Sequence, residues 1–120
     1  VTERGGKLGI HHDFTKRTMG GEQYYRHVNL LIYLNDVWDS SWGGDLELWS
    51  PDLTEMVKRI PLKGNTAVLF NIDNAPHGHP HPLDCPIGET RRSLAFYYYS
   101  KQETLMDLPR AYWKVGKEYK

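Results

Sequence analysis

The sequence predicts an all-β fold, an antiparallel sandwich or jelly roll. Short runs rich in apolar, β-branched and aromatic residues are separated by turn-forming clusters at spacings of about ten residues. Patterns that could form helices are short and few, and the sequence contains no internal repeat and no low-complexity segment. A chain of 120 residues is long enough for one buried core and too short for two domains.

Five strands are predicted in chain order. The first is the apolar run from Arg26 to Leu34, which ends at the turn-forming pair Asn35 and Asp36 and is typical of a buried strand. The others are 45–49 after two glycines, 56–60, 66–70 after a Lys-Gly-Asn turn, and 92–99. Short helices are predicted near 38–42 and in the tail after Gln102. Residues 74–90 contain four of the seven prolines and are predicted to be loop or sheet edge.

Composition argues against several partners. Fifteen basic and fifteen acidic residues give no net charge, so no overall field favours nucleic acid or a membrane surface. Cys85 is the single cysteine, which excludes an internal disulfide and predicts a reducing, cytoplasmic location. The chain begins at Val1 in glycine-rich sequence that already resembles a strand, so we expect it to be a fragment of a longer protein.

Two histidines stand beside an aspartate in the string Gly9 to Phe14 (GIHHDF). Because strand side chains alternate between faces, His11 and Asp13 share a face and His12 points away. A second histidine from a distant strand would complete a set of two histidines and one carboxylate, which suits non-haem Fe(II). A surface turn with incidental histidines is the alternative for so short a string.

Three histidines further along the chain could supply that ligand. His77 lies nearest the apolar run at 68–70 and is the preferred choice, His79 is second, and a solvated loop is expected for His81.

A carboxylate site is predicted at the start of the last strand. Arg91 shares a face with Ser93, Ala95 and Tyr97, and small neighbours leave room for a carboxylate in the bidentate fork of an arginine. A surface ion pair is the alternative for one such arginine.

Taken in order, the strings HHD, YLN, WGGDLELW, APHGHP and TRRSLAFYYY resemble the iron(II)- and 2-oxoglutarate-dependent oxygenases, in particular the prolyl-hydroxylase-like branch. The resemblance implies one catalytic core domain over residues 1–120, a double-stranded β-helix (jelly roll) without its N-terminal helices and first strand. It also implies that His11, Asp13 and His77 are the iron ligands.

The same resemblance implies a co-substrate site. Arg91 and Tyr33 would hold the far carboxylate of 2-oxoglutarate, with a further hydrogen bond from Ser93. Leu46 and Ala95 would be walls of this pocket. Tyr33 shares a face with Asn29, whose polar side chain inside a buried run indicates a polar cavity rather than simple packing, so Asn29 is a further predicted co-substrate-binding residue. The segment between His77 and Arg91 is longer than in many members of the branch, which keeps His79 open as the distal ligand.

The implied activity is that of an oxidoreductase, an Fe(II)- and 2-oxoglutarate-dependent dioxygenase that uses O₂, with ascorbate as a reductant. Its catalytic residues would be His11, Asp13, His77 and Arg91. It would hydroxylate a C–H bond of a prime substrate, either a prolyl residue of a protein or a small molecule, while 2-oxoglutarate is decarboxylated to succinate and CO₂. The alternatives are a cupin-like non-oxidative metalloenzyme and a non-catalytic jelly-roll binding module.

Overall fold

The computed structural model describes residues 1–103 and the backbone of residues 111–115. Within these ranges the secondary structure consists of strands and one 3₁₀ turn at Ser40–Trp42. The strands are β1 (Thr2–Glu3), β2 (Leu8–His11), β3 (Lys16–Met19), β4 (Glu22–Tyr33), β5 (Leu46–Trp49), β6 (Met56–Ile60), β7 (Thr66–Asn71), β8 (His77–His79), β9 (Thr90–Arg91), β10 (Ser93–Ser100) and β11 (Ala111–Val115). Among the described residues, no helix is long and apolar enough to cross a membrane.

Two antiparallel sheets enclose the core. The first has the order β10-β4-β7-β11, with β3 also paired to β4, and the second has the order β2-β8-β5-β6. A short β1-β9 pair lies apart from them. The core draws apolar side chains from both sheets, and its buried members are Tyr33, Val68, Phe70, Ile72, Leu46, Leu48, Ile60 and Leu62. The predicted all-β class is confirmed, and the antiparallel arrangement is compatible with a jelly-roll core.

The five predicted strands all form, with ends that differ from the predicted ones by a few residues. The largest difference is in β4, which begins at Glu22 rather than Arg26 because its first residues form a hairpin with β3. Gly20 and Gly21 supply the two positive φ angles, 57° and 77°, that a tight two-residue hairpin requires. All four residues of β3 are exposed, so this strand shows no apolar alternation in the sequence.

Two expectations from the sequence are wrong in part. Residues 77–79 lie within 74–90, yet they form β8, which pairs with β2 on one edge and β5 on the other. Pro76 and Pro80 flank this strand, where a missing N–H interrupts none of its pairing. In the tail, residues 111–115 form β11 rather than a helix, and the rest of that predicted helix, 104–110 and 116–120, lies outside the described residues.

Candidate metal centre

Three side chains that could bind a metal meet between β2 and β8. His11 ends β2 and lies directly opposite His77 at the start of β8, and Asp13 follows in the loop after β2. Their ligand atoms all lie within 4.8 Å of one another. Asp13 lies beyond the end of β2, so strand alternation is not what brings it to His11. His12 is exposed, as the sequence predicts.

The close approach of β2 to β8 depends on Gly78. A Cβ at this position would lie 2.6 Å from the carbonyl oxygens of Leu8 and Gly9, which are backbone atoms and cannot move aside independently. The pairing Leu8 to His79 and His11 to His77 shows that β2 carries one extra residue here. The glycine between the two histidines therefore lets the strand that carries His11 lie against the strand that carries His77.

Backbone carbonyl groups fix the tautomer of both histidines. The Nδ1 atom of His11 lies 2.8 Å from the Gly9 oxygen, and that of His77 lies 3.0 Å from the Ala75 oxygen. A carbonyl oxygen only accepts, so each Nδ1 carries the hydrogen and, in the neutral ring, Nε2 keeps its lone pair. Both Nε2 atoms face Asp13, at 3.0 Å from Oδ1 for His11 and 3.4 Å from Oδ2 for His77. The ring nitrogens are thus oriented for a shared ligand.

Two side chains of β4 hold the carboxylate of Asp13. The Nδ2 of Asn29 donates to Asp13 Oδ2 at 2.7 Å, and a terminal nitrogen of Arg26 donates to the same oxygen. Arg26 also donates from Nε to the Asn29 Oδ1 atom, 2.9 Å away. Burial by itself would raise the pKa of Asp13, but the adjacent His77 ring, the hydrogen bond from Asn29 and the charge of Arg26 hold this pKa well below its usual range. The carboxylate therefore stays ionised, as a metal ligand must.

A β-bulge in β4 puts Arg26 on the same face as Asn29. Tyr97, Tyr98 and Tyr99 of β10 lie opposite Asn29, Val28 and Arg26, so His27 is an extra residue in the ladder. Without the bulge, two residues three positions apart would point to opposite faces. The Arg26 guanidinium also stacks on Tyr97, with its central carbon 3.8 Å from the ring centroid.

The predicted carboxylate-binding pair lies in the same interior. Arg91 is buried, and its guanidinium carbon is 5.3 Å from the centroid of the Tyr33 ring. Its Nε donates to the Gly44 oxygen at 3.0 Å. Burial raises the pKa of Tyr33, so its phenol keeps its proton, although the nearby Arg91 acts in the opposite direction. The Tyr33 hydroxyl lies near Arg91 but forms no hydrogen bond of normal length and angle. Burial lowers the pKa of Arg91, but a guanidinium remains charged at any physiological pH.

Asn35 positions Arg91, and the sequence analysis missed it. Its Nδ2 donates to the Thr90 oxygen at 2.7 Å, and its Oδ1 accepts from the Arg92 N–H at 2.8 Å. One amide thus holds the backbone on both sides of Arg91. Asn35 was interpreted as a turn residue, but it is 1% exposed. The sequence did contain an indication of this role, because Asn35 is the last residue of the YLN string on which part of the resemblance rests.

The other predicted pocket residues differ in burial. Ser93 lies opposite Tyr33 and is half-buried, whereas Ala95 lies opposite Leu31 and is exposed, so the structure does not enclose Ala95 as a pocket wall. Leu46 is buried in the core on the facing sheet. Asn29 is buried too, but its contacts are with Asp13 and Arg26.

The remaining histidines of β8 and its flank separate clearly from the metal group. His79 is buried but lies outside the group of ligand atoms around Asp13. His81 is exposed, and its Nε2 lies 3.5 Å from Glu47.

Two imidazole nitrogens with one ionised carboxylate form a donor set that suits Fe(II), so His11, Asp13 and His77 fit the metal that the sequence predicts.

Comparison with known proteins agrees with this geometry. A family model described as the 2OG-Fe(II) oxygenase superfamily matches residues 1–99. That range includes the metal group, Tyr33, Asn35 and Arg91. Comparisons with curated proteins and with solved structures found no significant match.

Proposed function

This chain belongs to the 2OG-Fe(II) oxygenase superfamily, and from that premise we propose that it is a dioxygenase that hydroxylates a C–H bond of a prime substrate. The family uses Fe(II), 2-oxoglutarate and O₂. In the proposed reaction one oxygen atom of O₂ enters the new hydroxyl group and the other enters succinate. The two-electron oxidation of the C–H bond is then balanced by oxidative decarboxylation of 2-oxoglutarate to succinate and CO₂.

The observation that carries the proposal is the convergence of the metal ligands. His11, Asp13 and His77 bring their ligand atoms within 4.8 Å, with both Nδ1 atoms bound to carbonyl groups. Fe(II) bound by these residues would activate O₂. The protein holds the ligands in place through the contacts of Asn29 and Arg26 with Asp13, and these contacts also keep the carboxylate ionised.

We assign the far carboxylate of 2-oxoglutarate to Arg91 and Tyr33. Both side chains are buried in the interior that also contains the metal group, and the Tyr33 hydroxyl has no partner in the structure. A guanidinium fork and a phenolic O–H are donors that a carboxylate accepts in well-defined directions. Binding the co-substrate at this end would fix the orientation of its keto-acid end towards the metal ligands.

For the prime substrate, a prolyl residue in a protein is the leading proposal and a small molecule the second. This assignment is supported by the resemblance of the HHD, YLN and TRRSLAFYYY strings to the prolyl-hydroxylase-like branch.

The test is 2-oxoglutarate-dependent succinate formation. The purified protein is reconstituted with Fe(II) without oxygen, then given 2-oxoglutarate, air, ascorbate and proline-containing peptides or free prolyl compounds. We expect succinate and a product heavier by one oxygen atom, and loss of both in the Asp13→Ala variant. A protein that binds Fe(II) but converts no 2-oxoglutarate with any substrate would contradict the proposal and favour a cupin-like metalloprotein.

A further inference from the structure

The interior contains two buried side-chain atoms that no protein group satisfies. Among the described residues, only the Tyr33 hydroxyl and the Nδ1 atom of His79 are buried side-chain nitrogen or oxygen atoms without a hydrogen-bond partner. Buried polar groups are nearly always paired, because leaving one unpaired costs about 1–3 kcal/mol. Two such atoms in one interior indicate a ligand that would satisfy both.

His79 lies on the same face of β8 as the metal ligand His77. The two residues are two positions apart on a strand, so their side chains point the same way and are separated by about 6.6 Å along the chain. The pairing of Glu47 with Gly78 and of Leu48 with His77, continued by one step, places His79 opposite the core residue Leu46. A five-carbon diacid bound to the metal at one end could extend along this face towards His79.

The far end of such a diacid would meet Arg91. The positive charge of Arg91 acts on His79, so the two side chains are neighbours. An imidazole ring donates a hydrogen bond from Nδ1 when that nitrogen carries the hydrogen.

We propose that the Nδ1–H of His79 donates a hydrogen bond to the far carboxylate of 2-oxoglutarate, beside Arg91 and Tyr33. His79 is then a co-substrate-binding residue rather than the alternative iron ligand that the sequence left open. The inference rests on the proposed function, because it requires 2-oxoglutarate in this interior. It explains both unpaired atoms with one ligand.

The experiment measures affinity instead of turnover. Calorimetric titrations without oxygen determine Kd for Mn(II), then for 2-oxoglutarate and for 2-oxopentanoate on the Mn(II)-loaded protein. The second acid has the same carbon chain but lacks the far carboxylate. His79→Leu removes the donor at similar volume, and His79→Asn keeps an N–H at the position of Nδ1.

We expect His79→Leu to raise Kd for 2-oxoglutarate about tenfold or more, as for a lost hydrogen bond to a charged group. Its Kd values for Mn(II) and 2-oxopentanoate should stay within about threefold of those of the unchanged protein, as expected for a contact confined to the far carboxylate. His79→Asn should recover most of the affinity. If the leucine variant is poorly folded, His79→Ala provides the same comparison.

Two results would overturn the inference: unchanged 2-oxoglutarate affinity in the donor-free variant, or loss of Mn(II) binding, which would make His79 a metal ligand. The Arg91→Met variant distinguishes failure of the inference about His79 from failure of the proposed function. If the unchanged protein binds 2-oxoglutarate and Arg91→Met weakens it, the proposed function stands whatever His79 does. If the unchanged protein does not bind 2-oxoglutarate, both proposals fail.

Discussion

Replacing Asn29 by leucine should weaken metal binding without removing a metal ligand. The substitution deletes the 2.7 Å hydrogen bond to Asp13 and the 2.9 Å bond that orients Arg26. A hydrogen bond to a charged group contributes about 1.5–3 kcal/mol, and 1.4 kcal/mol is about a tenfold change in affinity. Loss of a group that orients a metal ligand typically costs about 10- to 100-fold in metal affinity. We therefore expect Kd for Mn(II) or Fe(II) to rise about 10- to 100-fold.

The assay is calorimetric titration of Mn(II) into the two proteins without oxygen, followed by 2-oxoglutarate at saturating metal. Asn71→Leu is the matched control, because Asn71 is also a buried strand asparagine, but its side chain accepts from the Asp73 N–H. We expect the control to leave the metal affinity within about threefold of its original value, because Asn71 makes no hydrogen bond to Asp13. If Asn29→Leu keeps its metal affinity and loses only 2-oxoglutarate affinity, Asn29 contacts the co-substrate, as the sequence analysis predicts, and the reasoning from the structure is refuted.

Three further predictions address the site. His11→Ala should lower metal affinity beyond detection in the same titration, whereas His12→Ala, at an exposed position, should leave it unchanged; equal effects would contradict the ligand assignment. Asn35→Asp should raise Kd for 2-oxoglutarate and not for Mn(II), because a carboxylate cannot donate to the Thr90 oxygen and Arg91 loses its backbone support. Gly78→Ala should cost about 1–3 kcal/mol in urea denaturation, because its Cβ meets backbone oxygens. Gly9→Ala is the control, since a Cβ there meets nothing within 4 Å; a similar loss in both would refute the steric argument.

The sequence predicts the buried strands well, because apolar runs and turn residues mark them directly. It fails for β3, whose residues are all exposed, and for β8, where flanking prolines suggest a loop. In β8 tertiary pairing prevails, since β2 and β5 supply hydrogen bonds on both edges of a strand of three residues. The local sequence pattern does not reveal which strands will pair with a given segment after folding.

The candidate site shows the same division. The sequence could pair His11 with Asp13 and rank His77 ahead of His79 and His81, and the strand register places His77 opposite His11. The YLN string marks Asn35 as part of the resemblance, but the hydrogen-bond partners of Asn29 and Asn35 could not be predicted, because folding brings them together from distant parts of the sequence. Both residues contact other parts of the site through both atoms of their amide groups.

The bulge at His27 affects how related chains should be recognised. Arg26 and Asn29 act together on Asp13, and the ladder separates them by two steps although the sequence separates them by three positions. A chain without the extra residue would place the same two side chains together with only one residue between them. Search patterns for this arrangement should therefore count ladder steps and accept both Arg-x-Asn and Arg-x-x-Asn, since a fixed spacing would discard proteins that build the same support.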